Sequence, residues 1–62
     1  MDTLPSSPTI LLSYVNTKLR DDYASLDELC DALDCDRDFI INTLRSIDYE
    51  YSEELNQFKS PL

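Results

Sequence analysis

The sequence lacks histidine, glycine and tryptophan, and its longest apolar runs are three residues. Histidine is the commonest general base, metal ligand and pH-sensitive group in proteins, so its absence argues against most enzymatic and metal-dependent functions. A membrane-spanning helix needs about 20 consecutive apolar residues, and no basic stretch leads into an apolar one as in a signal peptide. We therefore expect a cytoplasmic protein that has no metal, no cofactor and no catalytic activity.

Cysteine is also scarce. Cys30 and Cys35 are too few for a disulfide scaffold, and their spacing differs from the two-residue gap typical of redox and zinc pairs. In a reducing compartment they are expected to behave as small apolar side chains that face inward.

Basic residues are few relative to acidic ones. Five lysines and arginines stand against 13 aspartates and glutamates, which gives a formal charge of −8. DNA carries one negative charge per ~1.7 Å of helix axis, and proteins bind it largely by neutralising its phosphates with cations. The excess of carboxylates argues against nucleic acid, and against anionic membranes, as partners.

The length of 62 residues allows one domain with a small core. The apolar fraction of 42% is far above that of a disordered acidic chain, so a folded domain is expected. Because so small a core gives modest stability, exposed apolar side chains are candidate contacts for a partner or a second copy.

The first predicted helix begins at Ser7 and Pro8. The Ser7 hydroxyl is expected to act as N-cap, and Pro8 fits the first helical position because it has no N–H to satisfy. The helix is predicted to end near Asp21. Its inward stripe is Leu11, Leu12, Val15 and Leu19, and its water-facing residues are Asn16, Thr17, Lys18 and Arg20.

Two shorter helices are predicted after it. Ser25 and Glu28 form a capping box, which places a helix at about 26–33. Asp36 is a suitable N-cap for a third helix at about 37–47, whose inward residues recur at helical spacing.

The hydrophobic period changes after the third helix. Residues 49–59 alternate polar and aromatic side chains around a polar turn, which is typical of a β-hairpin. Asn56 is the best candidate for a left-handed backbone, since the chain has no glycine. A two-stranded hairpin is marginal alone, so it must pack on the helices.

The predicted fold class is mainly α: a three-helix, helix-turn-helix-like domain with a short C-terminal β-hairpin. The domain is expected to span 7–59, with frayed ends at 1–6 and 60–62.

Residues 26–47 resemble a bacterial helix-turn-helix motif. Cys30 occupies a position that is often alanine, and Asp34 replaces the usual glycine of the turn, which aspartate tolerates better than most residues. The resemblance implies that the third helix would enter the major groove of DNA. The sequence differs from such DNA-binding motifs in its charge. The second helix would present four acidic residues to the DNA phosphates: Asp27, Glu28, Asp31 and Asp34.

The chain also resembles a small family of bacterial proteins catalogued as a domain of unknown function. The resemblance covers residues 8–58 and rests on the segments 10–13, 15–21, 25–30, 49–51 and 53–56. It implies a stand-alone bacterial protein and no particular activity.

Acidic clusters give no specific site. Asp34, Asp36 and Asp38 have the spacing that opens a calcium loop, but Phe39 stands where that loop needs glycine and Arg45 where it needs glutamate. Other acid pairs fall in turns or helix ends, where carboxylates are solvated and keep ordinary acidity.

Three hypotheses about function follow. The first is a non-catalytic protein-interaction module, whose contact patch includes Tyr14, Phe39 and Ile41 and whose partner is a protein, a basic one or a second copy of the chain. Packing of Phe39 and Ile41 against the first helix is the alternative interpretation of these side chains.

The second hypothesis is a helix-turn-helix transcriptional regulator. Its DNA contacts would be Arg37, Asn42, Arg45 and Lys59. The third is mimicry of nucleic acid by ordered carboxylates, which ranks last because the acids are spread over several elements.

Overall fold

The structure of the chain, a computed structural model, describes residues 4–60. The predicted frayed ends therefore lie partly outside the described residues. The elements follow in the order α1 (Pro8–Asp21), α2 (Leu26–Leu33), α3 (Arg37–Arg45), β1 (Glu50–Ser52) and β2 (Gln57–Lys59). The predicted class, mainly α with three helices and a C-terminal hairpin, is confirmed.

Helix α1 has the predicted bounds, and its start differs from the prediction in one respect. The Ser7 hydroxyl makes no capping hydrogen bond. The Ser7 carbonyl instead accepts from the Leu11 amide at 2.8 Å, and Pro8 follows at the first turn. Pro8 has no N–H of its own to satisfy at the first turn, and its fixed φ suits the start of a helix.

The second helix begins with the predicted cap. The Ser25 hydroxyl accepts from the Glu28 amide at 3.1 Å, which satisfies one of the orphan N–H groups of the first turn. At the far end Asp34 adopts a left-handed backbone with φ 52°, as the substitution of aspartate for glycine predicted. Asp36 then caps α3 by accepting from the Asp38 amide at 2.9 Å.

Helix α3 ends two residues before the predicted Ile47. Asp48 takes a left-handed backbone with φ 64°, and the Tyr49 amide donates to the Leu44 carbonyl at 3.0 Å. This pairing closes the helix as a Schellman turn, which tightens its last residues and turns the chain into β1.

The hairpin is antiparallel, with Tyr51 opposite Phe58 and a polar pair on each side. Asn56 is left-handed, with φ 51°, as predicted from the lack of glycine. The Tyr51 and Phe58 rings lie 5.4 Å apart. Phe58 is part of the core formed with the helices and Tyr51 packs against that core, so this face of the hairpin lies on the helices.

One apolar core joins all three helices and β2. Full burial of a leucine-sized side chain stabilises the folded state by roughly 1.5–3 kcal/mol, so these contacts dominate the stability of so small a chain. The core residues are Leu11, Val15, Leu19, Leu26, Leu29, Cys30, Ile40, Leu44 and Phe58.

Candidate functional site

A groove of about 280 Å³ runs between α3 and β1. Arg37, Ile41 and Arg45 recur at intervals of four residues, which places them on one side of α3 along the groove. We call this the α3 groove; its lining residues are Arg37, Ile41, Arg45, Tyr49, Glu50, Tyr51 and Glu53.

The α3 groove continues toward the start of α2. A second depression of about 220 Å³ shares Arg37, Tyr51 and Glu53 with it, so the two form one continuous surface. Asp27 lies on this extension, and its carboxylate pairs with the Arg37 guanidinium at 2.9 Å.

Among residues 4–60, no strand pairs with the outer edge of β1, which lies beside this groove. The Phe58 amide donates to the Asn16 side chain at 2.8 Å, and the Phe58 carbonyl accepts from it at 3.2 Å. Phe58 therefore does not exchange main-chain hydrogen bonds with Tyr51, its opposite residue in the hairpin. Tyr51 and Phe58 thus form a non-hydrogen-bonded pair of the antiparallel ladder. In such a pair, the main-chain N–H and C=O groups of each residue point away from the partner strand. The Tyr51 main chain thus faces away from β2.

Charge in the α3 groove is mixed. Arg37 is neutralised in part by Asp27, and Arg45 is exposed and has no ion-pair partner among residues 4–60. Glu50 and Glu53 line the opposite, strand side. Three carboxylates and two guanidinium groups therefore border the continuous surface.

The three residues of the predicted contact patch lie on two helices, Tyr14 on α1 and Phe39 and Ile41 on α3. Ile41 is half-buried in the α3 groove, whereas Phe39 is 41% exposed and does not line it. Residues two apart in a helix point about 200° apart, so the two side chains flank the buried Ile40 from opposite sides. Tyr14 lies on α1, with the Lys18 ammonium 5.7 Å from its ring centroid.

The residues named for DNA contact lie on two elements of the fold, α3 and β2. Arg37 and Arg45 share the α3 groove, while Asn42 is exposed on α3 outside it. Lys59 is exposed on β2 and stands opposite Glu50 in the hairpin register. Acidic residues lie near each of these cations: Asp27 pairs with Arg37, Glu50 and Glu53 line the groove with Arg45, and Glu50 stands opposite Lys59.

Lys18 and Arg20, the remaining cations, lie near the end of α1 and are also paired. The Lys18 ammonium lies 3.4 Å from the Asp22 carboxylate, and that hydrogen bond raises the Lys18 pKa above its ordinary value. The Arg20 guanidinium donates two hydrogen bonds of 2.9 Å to Asp21 and lowers the pKa of that carboxyl. Both pairs are exposed and contribute little to stability.

A second groove, of about 520 Å³, lies between α1 and the hairpin turn. We call it the α1 groove. It is polar and wide, and two of its lining residues, Asn16 and Asn56, are engaged in holding the fold together. Its lining residues are Ser13, Asn16, Thr17, Leu19, Arg20, Leu55, Asn56 and Gln57.

Asn16 corrects a prediction from the helical pattern. It was expected to face water, but it is half-buried and bonds to both main-chain groups of Phe58. An amide can donate and accept at once, which suits it to the open edge of a strand. The position of Asn16 beside the inward apolar stripe of α1 was the one feature of the sequence that indicated its burial.

Asn56 has a side-chain role that the sequence did not reveal. Its amide donates to the Leu19 and Tyr23 carbonyls, both at 3.0 Å, and so satisfies groups at the end of α1. Its oxygen accepts from the Tyr51 hydroxyl at 2.7 Å, and that hydroxyl accepts from the Leu26 amide at 3.2 Å. One side chain therefore joins the hairpin to α1 and, through Tyr51, to α2.

Together the fold and surface define a small acidic, mainly helical protein with a hairpin and two open grooves. Residues 5–58 match the family described as Domain of unknown function (DUF4250), and the chain belongs to it. No curated protein and no solved structure matches this chain. Among the helices of residues 4–60, none has the length and apolarity needed to cross a bilayer.

Proposed function

We propose that this protein is a non-catalytic protein-interaction module, and that its α3 groove binds an extended, basic segment of a partner protein. The observation that carries the proposal is the open edge of β1 beside a groove with an apolar side chain, Ile41, and a tyrosine, Tyr49. An extended peptide can add to such an edge through main-chain hydrogen bonds, while flanking pockets select its side chains.

Charge supports a basic segment over an acidic or neutral one. The protein as a whole carries −8, which attracts positively charged partners over a distance of about a Debye length. Locally, the strand side of the groove offers Glu50 and Glu53. The same negative charge repels a second copy of the chain, so a partner of different composition is favoured over self-association.

The absence of catalysis is part of the proposal. The chain has no histidine, and the carboxylates that border the α3 groove are exposed to water. A catalytic acid or base needs a pocket that holds its substrate against it and excludes water, and an open groove does not supply one. A cytoplasmic location is also proposed, because Cys30 and Cys35 are both free thiols.

The DNA-binding alternative has weaker support. Its strongest feature is that Arg37 and Arg45 lie on one side of α3. Affinity for DNA grows with the number of phosphates neutralised, however, and Asp27, Glu50 and Glu53 border the same surface. These carboxylates would oppose the phosphates that the two arginines attract.

A display library of random linear peptides tests the proposal. The wild-type protein should enrich peptides that combine lysine or arginine with alternating apolar residues, and their binding should weaken as salt rises. Ile41→Glu should abolish the enrichment, because it places a charge in the apolar part of the groove. Phe39→Glu is the matched control: it makes the same kind of change on the other side of α3 and should leave the enrichment intact.

Two outcomes would overturn the proposal. One is enrichment of acidic peptides, which would reverse the inferred charge of the partner. The other is equal loss of enrichment in the Phe39 and Ile41 variants when circular dichroism shows both to be folded, because binding would then not depend on the α3 groove.

A further inference from the structure

The end of α2 places the two cysteines side by side. The Cys35 amide donates to the Cys30 carbonyl at 3.0 Å, and the Asp34 amide donates to the Asp31 carbonyl at 3.4 Å. With Asp34 left-handed, these bonds form a Schellman motif. In that motif the residues at the positions of Cys30 and Cys35 characteristically make a side-chain contact.

The core packing agrees with this expectation. Both cysteines are free, and Cys35 packs against the core cluster that contains Cys30. Cys30 is 8% exposed, whereas Cys35 is half-buried and open to water on one side. The pair therefore consists of one buried cysteine and one half-buried cysteine, which the backbone of the turn holds together.

We propose that Cys30 and Cys35 are a modification site: a dithiol that low-molecular-weight disulfides, such as oxidised glutathione, convert into an intramolecular disulfide. The inference is independent of the proposed function. It rests on the Schellman geometry, which brings together residues whose spacing alone matches no familiar redox motif.

The reaction proceeds by two thiol–disulfide exchanges. The Cys35 thiolate attacks one sulfur of the oxidised glutathione, forms a mixed disulfide and releases a glutathione thiolate. Cys30 then loses its proton to solvent base, attacks the Cys35 sulfur and releases the second glutathione. Two protein thiols are oxidised, and one glutathione disulfide is reduced to two glutathione molecules.

The order of the two steps follows from the surroundings of each thiol. Burial, together with the neighbouring Cys35, raises the pKa of the Cys30 thiol to about 12. Only a thiolate attacks a disulfide, so Cys30 is a poor first nucleophile. Cys30 becomes the resolving thiol once the neighbouring Cys35 carries glutathione, which is the leaving group of the second exchange.

Closing the loop from Cys30 to Cys35 would couple oxidation to folding. A cross-link over about six residues removes chain entropy worth roughly a 40-fold change in the folding equilibrium. By linkage, the folded chain should favour the disulfide over the unfolded chain by the same factor. The closed turn is the one that leads into α3, which carries one wall of the α3 groove.

The test equilibrates the full chain with mixtures of reduced and oxidised glutathione, both in buffer and in urea, and quenches by alkylation before mass spectrometry. The folded wild type should accumulate a species lighter by two hydrogens. It should do so at a ratio of oxidised glutathione to the square of reduced glutathione that is roughly 40-fold lower than the ratio the unfolded chain needs. Cys30→Ser should stop at a glutathione adduct on Cys35. Cys35→Ser should react much more slowly, because its remaining thiol is buried.

Two results would overturn the inference. If the folded chain formed the disulfide no more readily than the chain in urea, the native turn would not hold the thiols in position. The same conclusion would follow if the folded wild type stopped at mixed disulfides or formed only cross-linked dimers. Because the urea comparison uses the wild type, the test does not depend on whether the serine variants fold.

Discussion

Replacing Asn56 with glycine would isolate the contribution of one side chain to the stability of the whole fold. The backbone at this position is left-handed, with φ 51°, and glycine accepts that conformation without strain. The substitution therefore leaves the turn feasible and removes the side chain alone. What is lost is its three hydrogen bonds to Leu19, Tyr23 and Tyr51.

The expected loss is large for a chain of this size. Each intramolecular hydrogen bond contributes about 1 kcal/mol net, so Asn56→Gly should destabilise the fold by about 3 kcal/mol. Domains have roughly 0.05–0.15 kcal/mol of stability per residue, which gives about 3–9 kcal/mol here. The variant should therefore lose a third or more of its free energy of unfolding, measured by urea denaturation and circular dichroism.

Asp34→Gly is the matched control for this experiment. Asp34 has nearly the same backbone, with φ 52°, and its side chain has no hydrogen bond among residues 4–60. Glycine should change the free energy of unfolding there by no more than about 1 kcal/mol. If Asn56→Gly were as mild as this control, the amide network would not be what holds the hairpin to the helices.

Three further predictions concern the capping box, the buried thiol and DNA. Ser25→Ala should lower the free energy of unfolding by about 1 kcal/mol, because the Glu28 amide loses its acceptor; Ser7→Ala, where the hydroxyl caps nothing, should be near neutral in the same denaturation assay. Stability should fall as pH rises from about 9 toward 12, since the unfolded Cys30 thiol ionises while the folded one, with its pKa raised to about 12, stays protonated. Cys30→Ala should show a shallower fall, and an unchanged slope would refute this assignment. Duplex DNA at low salt should show no mobility shift with the protein, because carboxylates border Arg37 and Arg45; a clear shift would favour the regulator hypothesis.

Local chemistry explains why much of the fold was predictable. Ser25 and Glu28 mark the start of α2, and Asp34 and Asn56 were identified as the residues suited to left-handed turns in a chain without glycine. Such preferences depend on a few neighbouring residues, so they can be read from the sequence. The prediction of where α3 ends was less accurate, because the left-handed turn at Asp48 was not foreseen.

The placement of the grooves depended on contacts between distant residues. Asn16 was predicted to face water because helical periodicity says nothing about which element packs beside a residue, and its partner Phe58 is 42 residues away. Ile41 was grouped with Phe39 because both lie off the inward stripe of α3, although helical geometry sets them on different sides of that helix. The position of β1 beside α3 follows from the Schellman turn after Leu44, which only the structure reveals.

Mapping a bound peptide residue by residue is the most direct test of the central claim, that the α3 groove receives an extended basic segment. A peptide enriched from the display library would be titrated into the isotopically labelled protein and followed by amide NMR. The largest shifts are expected at Ile41, Tyr49 and Tyr51, with the Tyr51 amide newly protected from hydrogen exchange. Shifts centred on Ser13, Thr17 and Gln57 in the α1 groove, with Tyr51 unprotected, would contradict it.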